Sequence, residues 1–454
     1  MKRKKVMYDV AIVGGGFRGL ITAYLSLKKG LTVALIDSSP DLGGFLNSFD
    51  WNGYVVDRGV QLFDSVPREL EDIVTNDLGI NVNQIDFTYG SVFDGITTPG
   101  FALPNFSNIS RKCKSKILLE LIETLEQPDA DIDNLDSFLC HRYGPTAASY
   151  YRASFKNIYR LPTEKADVSA LTQTAFHRIH FLNDKLSLEL KKNPSLDMKL
   201  AARRVVVGKV DEFVSFYPSS GGMRSIVTAF ENKISDLGGV LQPKYDIADI
   251  TGDDDSGYLI ESSLPGAGRF LSKKIVWCAP VSKLEEILLS RNTISKLEHG
   301  TPMVSCAFEV PSSAVNNFTY FHQFSANTLV YRSSAMGVYS NQIKADGKTF
   351  VTAECPTDKG TEFWDNPEKF MQDVWNELVS MELIKQGEML PDVRNFSCLP
   401  STHRIPLVGH GNALENFEKH MALGYKNIFI EGNKAFLRRE IFLNAKSMVE
   451  TLAA

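Results

Sequence analysis

The chain has 454 residues, which is too long for one typical hydrophobic core and predicts two or three domains. With 43% hydrophobic and 23% charged residues the composition is that of an ordinary globular protein, and a net charge of −5 gives no reason to expect a nucleic-acid partner. No apolar run reaches the roughly 18 residues that a membrane span needs, and the basic start, Lys2 to Lys5, makes a poor signal peptide. These features exclude a membrane-spanning segment but leave peripheral contact with a membrane open.

The first predicted elements form a strand, a glycine-rich turn and a helix. The run "DVAIV" from Asp9 is followed by Gly14, Gly16 and Gly19 in the pattern G-x-G-x-x-G, and helical spacing of apolar residues comes next. A second strand, "TVALID", ends at Asp37. Such a turn lets a phosphate approach the helix N-terminus, and a carboxylate at this distance can meet ribose hydroxyls. The stretch therefore predicts a dinucleotide site.

A second glycine pair, Gly43-Gly44, precedes "SFDWNGYVVD", where Asn52-Gly53 predicts a β-hairpin. Residues 113–205 have mainly helical periodicity. A helix is expected from Met223 to Leu237, closed by Gly238-Gly239, and "KKIVWCAP" at 273–280 is typical of a buried strand.

The last third of the chain predicts a sheet and then a return to alternating strands and helices. Within residues 300–355 four segments alternate like antiparallel strands: "MVSCAFEV", "TLVYRSS", "GVYSNQI" and "FVTAEC". Residues 366–387 predict a helix, and the end of the chain predicts a strand, a glycine turn and a helix.

The cysteines and histidines predict the compartment and give no metal site. Cysteines occur at six scattered positions, none in a C-x-x-C pair: Cys113, Cys140, Cys278, Cys306, Cys355 and Cys398. This usage predicts reduced, mostly buried thiols and a cytoplasmic protein. His177 and His180 form an H-x-x-H pair in a predicted helix, but no third ligand lies nearby in the sequence, so we expect no metal.

Six motifs in order resemble the superfamily of FAD-dependent amine oxidases, protoporphyrinogen oxidases and UDP-galactopyranose mutases. They are "VAIVGGGFRGLITAYLSLKKGLTVALIDSSPDLGG", "FYPSSGGMRSIVTAF", "GGVLQPKYDIADI", "KKIVWCAP", "STHRIPLVGHGNALENF" and "NIFIEGN". The resemblance implies an α/β fold in which a Rossmann-like FAD-binding domain is interleaved with an α+β substrate domain of antiparallel sheet and helices. Residues 1–75, 205–290 and 395–454 would form the FAD domain, and residues 76–204 and 291–394 the substrate domain.

The resemblance also implies residues that bind FAD. They are Gly14, Gly16 and Gly19 at the pyrophosphate, Asp37 at the ribose, Gly43 and Gly44 near the phosphates, Ile247 at the adenine through its backbone, and Gly432 and Asn433 at pyrophosphate or ribityl hydroxyls. Three positions depart from the family pattern. Asp37 stands where the family more often has Glu, Phe45 where it often has Arg, and Asn433 where it usually has Asp.

For the reaction, the resemblance leaves three hypotheses. The first is an FAD oxidoreductase that takes a hydride from a C–N or C–C bond of a small-molecule substrate. The second is a mutase that acts on a nucleotide sugar through reduced flavin, against which stands Gln61 at the position of the mutases' histidine. The third is a non-enzymatic escort-type binding protein, against which stand the intact glycine motifs.

The candidates for contact with a substrate are few. Gln61 could orient a substrate or hydrogen-bond the flavin ring, and Arg404 could place a positive charge at the active site. Tyr331, Arg332 and Tyr339 lie on the predicted substrate sheet and could bind an anionic substrate, or could be structural.

Overall fold

The computed structural model describes residues 6–125, 132–203, 212–432 and 434–454. The chain divides into two compact units. Unit 1 comprises Met1–Ile85, Val210–Lys296 and Asn412–Ala454, and unit 2 comprises Asp86–Lys209 and Leu297–Gly411. Each unit is therefore built from separate stretches of the chain, and the cofactor and substrate roles expected of such units stay predictions.

The first half of the chain crosses from unit 1 to unit 2. Its first stretch in unit 1 contains β1 (Met7–Val13), α1 (Phe17–Lys28), β2 (Val33–Ile36), β3 (Ser48–Trp51), β4 (Tyr54–Asp57), β5 (Phe63–Pro67), α2 (Arg68–Asp72) and β6 (Val82–Gln84). The following stretch in unit 2 contains β7 (Tyr89–Phe93), β8 (Ile96–Pro99), α3 (Arg111–Glu123), α4 (Leu135–Tyr143), α5 (Pro145–Tyr159), α6 (Asp184–Leu190) and α7 (Pro194–Asp197).

The second half returns to both units. Unit 1 continues with β9 (Phe213–Pro218), α8 (Gly222–Asp236), β10 (Val240–Gln242), β11 (Ile247–Asp253), β12 (Gly257–Ser262), β13 (Phe270–Trp277), α9 (Val281–Leu289) and α10 (Thr293–Lys296). Unit 2 continues with β14 (Glu298–Gly300), β15 (Met303–Pro311), β16 (Tyr320–Gln323), β17 (Arg332–Ser334), α11 (Met336–Tyr339), β18 (Lys348–Pro356), α12 (Glu362–Asp365), α13 (Met371–Ser380), β19 (Arg394–Leu399) and β20 (Arg404–Pro406). The chain ends with α14 (His410–Gly424), β21 (Ile428–Ile430) and α15 (Arg438–Ala453).

Unit 1 is organised around a seven-stranded sheet in the order β10-β2-β1-β13-β12-β11, with β21 also paired to β13. The pairs β10–β2, β2–β1, β1–β13 and β13–β21 are parallel. Their central residues are fully buried because these strands are apolar on both faces, as in "VAIV" and "VALI". The carboxyl ends of β1, β2, β13 and β21 therefore meet at one edge of the sheet, where ligands bind in open α/β sheets.

Unit 2 contains a seven-stranded sheet in the order β19-β15-β18-β17-β16-β7-β8, antiparallel except for the β16–β7 pair. One apolar cluster collects α3 to α5 around Tyr143, Tyr151 and Phe155. A second cluster packs Trp375 and the rest of the apolar side of α13 against the sheet. The predicted architecture, a Rossmann-like part and a part of antiparallel sheet with helices, is confirmed.

Several local predictions are also confirmed. The hairpin pairs Ser48 with Asp57 and turns at Asn52-Gly53, and the helix expected from Met223 begins one residue earlier, at Gly222. The segment 113–203 is mainly helical where described. Of the helices in the described part of the chain, none has both the length and the hydrophobicity to cross a bilayer.

Three local predictions are wrong. The segment "GVYSNQI" is not a strand: Met336–Tyr339 forms a helical turn, closed by a hydrogen bond from Ser340 Oγ to the carbonyl oxygen of Met336 (2.6 Å). The H-x-x-H pair is not in a helix, and His180 instead bonds through Nδ1 to the carbonyl oxygen of Ala201 (3.0 Å). These two segments are seven and four residues long, and segments so short carry too little periodicity to distinguish a turn from a helix or a strand.

The third wrong prediction concerns the cysteine thiols, which are free but not mostly buried. Cys306 and Cys355 are buried, Cys113, Cys140 and Cys278 are intermediate, and Cys398 is exposed.

Candidate dinucleotide-binding site

The turn between β1 and α1 leaves space beside its second motif glycine. A Cβ added at Gly16 would meet no atom within 4 Å, and Gly16 has φ −70°, which any residue can adopt. Gly16 is also the N-cap of the twelve-residue α1, and no side chain caps that terminus. The first N–H groups of α1 thus point toward open space, which is the arrangement that binds a phosphate.

The other motif glycines are required by packing within the protein. A Cβ at Gly19 would lie 1.8 Å from the carbonyl oxygen of Gly14, so α1 could not pack this closely on β1 with any side chain there. A Cβ at Gly14, whose φ is +106°, would lie 2.8 Å from the backbone nitrogen of Ala279. The three glycines therefore serve two different purposes, close packing at Gly14 and Gly19 and access at Gly16.

The second glycine pair lies directly beside this turn. The N–H of Gly43 donates to the carbonyl oxygen of Gly15 (2.7 Å), and Gly16 and Gly43 form an isolated parallel bridge. Gly43 has φ +104° and Gly44 φ +55°, and a Cβ at Gly44 would lie 3.4 Å from Cα of Gly16. The structure thus brings the two glycine motifs together into one cradle without side chains.

Asp37 lies at the end of β2 and holds the cradle from one side. Its Oδ2 accepts from the backbone N–H of Gly15 (2.5 Å) and its Oδ1 from that of Ser39 (2.7 Å). Each carboxylate oxygen has further acceptor capacity, so these contacts are compatible with ribose hydroxyls. The segment that leads into β11 is held by Tyr245, whose N–H donates to the carbonyl oxygen of Asp37 (2.9 Å), and Ile247 begins β11 with 5% exposure.

At the opposite side of β13, Gly432 follows β21. A Cβ there would lie 2.1 Å from the carbonyl oxygen of Ala279, so Ala279 is flanked by Gly14 and Gly432 on the two neighbouring strands. The predicted companion of Gly432, Asn433, lies outside the described residues.

Arg18 is a charged residue inside the glycine motif that the sequence reasoning missed. Its residue exposure is only 9%, its Nη2 donates to the carbonyl oxygen of Ala435 (2.5 Å), and its Nη1 lies 3.9 Å from Glu431. The signal was an arginine in "GFRG", next to Gly19, which must be close-packed. Arg18 ties the start of α1 to the corner after β21.

Gln61 is held by the protein at both ends of its amide. Its Nε2 donates to the carbonyl oxygen of Arg58 (3.1 Å) and its Oε1 accepts from Nη2 of Arg438 (2.5 Å). Nε of Arg438 also donates to the carbonyl oxygen of Leu62 (2.8 Å), and its guanidinium lies 5.0 Å from the ring centre of Phe63. Burial lowers the pKa of Arg438 to about 10. Arg438, which the sequence reasoning did not single out, therefore fixes the orientation of Gln61.

The candidate substrate-contact residues of unit 2 lie in three places. Arg332 makes a two-pronged ion pair with Glu354, with Nε–Oε1 and Nη2–Oε2 distances of 2.8 Å, and Tyr331 precedes it at 8% exposure. Tyr339 lies on α11 and not on the sheet. Arg404, on β20, is more than half exposed and pairs with Glu298 across the β14–β20 ladder (3.2 Å).

Comparison with known proteins agrees with this architecture. Residues 12–76 match the model of an NAD(P)-binding Rossmann-like domain. Over 77 residues, 17% of this chain, the sequence is 38% identical to a 4,4'-diapolycopen-4-al dehydrogenase of Metabacillus indicus. Over 88 residues, 19% of this chain, it is 36% identical to a ferredoxin–NADP reductase of Halalkalibacterium halodurans. The matches span only 15% and 25% of those two relatives.

Similarity of fold extends much further than similarity of sequence. A structure of reduced UDP-galactopyranose mutase matches with a TM-score of 0.72 at 15% identity, over 98% of this chain and 94% of that one. A putative protoporphyrinogen oxidase of Exiguobacterium sp. 255-15 gives 0.66 at 15% identity, over 98% of both chains. Putrescine oxidase bound to putrescine gives 0.63 at 14% identity, over 99% of both chains.

The matched domain and the glycine cradle define a protein with a Rossmann-like dinucleotide-binding unit. Its whole fold is similar to the folds of the reduced UDP-galactopyranose mutase, the putative protoporphyrinogen oxidase and the putrescine oxidase described above.

Proposed function

We propose that the chain is an FAD-dependent oxidoreductase that takes a hydride from a C–N or C–C bond of a small molecule. The observation that carries the proposal is the cradle at Gly16, where the uncapped N-terminus of α1 points at space that a side chain could fill. An anion fits there because backbone N–H groups and the helix dipole both favour negative charge.

We propose that the residues around the cradle contact successive parts of FAD. Gly16 with Gly43 and Gly44 would admit the pyrophosphate, Asp37 would accept from ribose hydroxyls, and Ile247 would contact the adenine. Gly432 at the far side would lie near the pyrophosphate or ribityl chain. Phe45 is 69% exposed and supplies no charge.

Bound FAD would supply the hydride acceptor, and the protein's own residues would bind and orient the substrate. Unit 2 offers Tyr331 and Arg332, and we propose it as the substrate unit. Gln61, oriented by Arg438, would keep one amide hydrogen free to contact a ligand. An amide cannot act as a general base at neutral pH, and hydride transfer needs none.

Two other functions are distinguished by experiment. A mutase acting on a nucleotide sugar would use reduced flavin without net electron flow, and the residue at position 61 is not the mutases' histidine. An escort-type binding protein on this fold would not need the cradle.

The test begins with the absorption spectrum of the purified protein and identification of any released cofactor by chromatography. We expect a yellow protein that releases FAD on denaturation, and oxidised flavin that is bleached anaerobically by a substrate and restored by an acceptor. A colourless protein that FAD cannot reconstitute would favour the escort hypothesis. Turnover of a nucleotide sugar that requires prior reduction and consumes no acceptor would establish the mutase hypothesis.

A further inference from the structure

One face of the sheet in unit 2 carries a row of polar side chains. In the strand register His322 is paired with Ser91 on one side and with Arg332 on the other, and Arg332 is paired with Glu354. Residues that are paired directly across neighbouring strands project from the same face of a sheet, so these four residues lie in one row on one face. Their chain neighbours, such as Phe321 and Ala353, belong to the apolar cluster with α13. We call the row Ser91, His322, Arg332 and Glu354 the polar row.

Aromatic rings adjoin the polar row. The ring of Tyr331 stacks on that of His322, with 5.5 Å between centres and 6° between planes. Tyr331 also lies edge-on to His403 at 6.0 Å, and His403 lies edge-on to Tyr159 at 5.8 Å. Two imidazoles thus flank one tyrosine ring.

Polar atoms of this group lack partners among the described residues. Nδ1 of His322, Oγ of Ser91 and Nε2 of His403 are buried without a hydrogen bond. The ring of His322 is neutral near pH 7 because burial lowers its pKa to about 3. Nδ1 of a neutral imidazole can accept or donate a hydrogen bond, according to the tautomer. A buried polar atom without a partner costs about 1–3 kcal/mol, so such atoms in one place point to a ligand.

The group is also electrically neutral. The charge of Arg332 is balanced by Glu354 in their two-pronged pair. Burial lowers the pKa of His322 to about 3 and that of His403 to about 4, so both rings are uncharged near pH 7. The described residues of the group offer no unpaired carboxylate for a cationic ligand.

We propose that the polar row and the rings of Tyr331 and His403 bind an uncharged ring compound whose O–H groups hydrogen-bond to Nδ1 of His322. The ring of the ligand packs on the aromatic side chains, and His403 offers a second polar contact. An alkylammonium ion is disfavoured because the carboxylate of the group, Glu354, is already paired with Arg332.

This inference rests on the proposed function only in taking the ligand of unit 2 to be the substrate. Its test therefore measures binding without turnover, on the protein as purified, by saturation-transfer NMR and calorimetric titration. The probes are resorcinol, an uncharged ring with two hydroxyls, and benzylamine, a ring of similar size that is protonated at pH 7. We expect saturable binding of resorcinol and at least tenfold weaker binding of benzylamine.

The deciding variant is His322→Phe, which keeps an aromatic ring on Tyr331 and removes Nδ1. We expect it to weaken resorcinol binding about tenfold, the equivalent of one hydrogen bond. His322→Asn, whose side-chain amide can accept or donate in place of Nδ1, should retain binding and covers the case in which His322→Phe does not fold. His420→Phe, at an exposed position in unit 1, is the control.

Three results would overturn the inference: no saturable binding of resorcinol to the wild type, equal or tighter binding of benzylamine, or unchanged resorcinol binding in a folded His322→Phe. A colourless protein that binds resorcinol through His322 would refute the proposed function and leave this inference standing. A yellow protein that is active but fails these binding tests would support the proposed function and refute this inference.

Discussion

At the scale of single residues, the glycines of the first motif differ in what they would tolerate. A Cβ at Gly19 would lie 1.8 Å from the backbone of Gly14, whereas a Cβ at Gly16 would meet open space. The sequence predicts that glycine is needed in this turn, but it cannot separate packing from access because both need the same residue. A substitution at Gly16 therefore isolates the effect on the ligand.

We expect Gly16→Val to abolish FAD binding and to lower the free energy of unfolding of the apoprotein by only about 1 kcal/mol, since valine is a poor N-cap. Flavin content and urea unfolding measure the two effects. Gly268→Val is the control, because a Cβ at that position would also meet open space. Full flavin occupancy in Gly16→Val would show that the cofactor lies elsewhere.

Arg438 gives a second prediction at this scale. Arg438→Met removes donors to Leu62 and Gln61 from a half-buried place, and we expect the free energy of unfolding to fall by about 2 kcal/mol. The neighbouring Arg439→Met removes only a contact 5.3 Å from the ring of Phe213 and should cost about 0.5 kcal/mol. Equal losses in the two variants, measured by urea unfolding, would contradict the anchoring role of Arg438.

At the scale of elements, the sequence predicted those with a strong local signal. The Asn52-Gly53 hairpin and the helices α1 and α8 are correct because turn residues and apolar spacing agree. The helical turn after Arg332 could not be predicted, because it depends on a tertiary contact that leaves no local pattern in the sequence. Gly337 packs so closely on β18 that a Cβ there would lie 2.6 Å from the backbone nitrogen of Phe350. The same limit applies to the site: the glycine cradle was predictable, but His322 and Arg438 gain their significance only from distant partners.

Asp9 connects three pieces of unit 1. Its carboxylate accepts from Thr32 N (2.9 Å) and Oγ1 (2.7 Å) and pairs with Lys273 on β13 (2.7 Å). The bond from Lys273 is the largest cause that lowers the pKa of Asp9 to about 2. Because the folded pKa is below that of the unfolded chain, this stabilisation is present above about pH 4 and is lost as the pH falls toward 2.

We therefore expect Asp9→Asn to lower the free energy of unfolding by about 1 kcal/mol at pH 7, with a difference from wild type that shrinks between pH 4 and pH 3. Urea titrations across this range measure it, with the exposed Asp255→Asn as control. A difference that grows as the pH falls would refute the assignment.

At the scale of the whole molecule, the fold is shared far more widely than the sequence. Matches to solved structures cover nearly the whole chain at about 15% identity, whereas the two curated relatives described above match 17% and 19% of it. The stretch that matches the Rossmann-like domain model, residues 12–76, contains the glycine turn, where backbone geometry fixes the residue type. Elsewhere many apolar residues can fill the same core, so resemblance of sequence is lost while the fold persists.

The choice of dinucleotide gives a prediction at the scale of the whole molecule. FAD should stabilise the apoprotein by about 2.7 kcal/mol when its free concentration is 100 times Kd, and NADP⁺ at the same concentration should give a much smaller effect. Thermal unfolding with FAD, FMN and NADP⁺ compares them directly. Stabilisation by NADP⁺ alone would mean that the Rossmann-like unit binds a nicotinamide cofactor instead of a flavin.

The alternation along β16 makes unit 2 sensitive to changes of chain length. Phe321 faces the apolar cluster and His322 the polar row, so inserting a single residue before them, with the pairing of β16 unchanged, would exchange the two sides. An imidazole would enter the apolar cluster, and a phenyl ring would stand between Ser91 and Arg332. Insertions and deletions in this strand should therefore be far less tolerated than substitutions that keep its length.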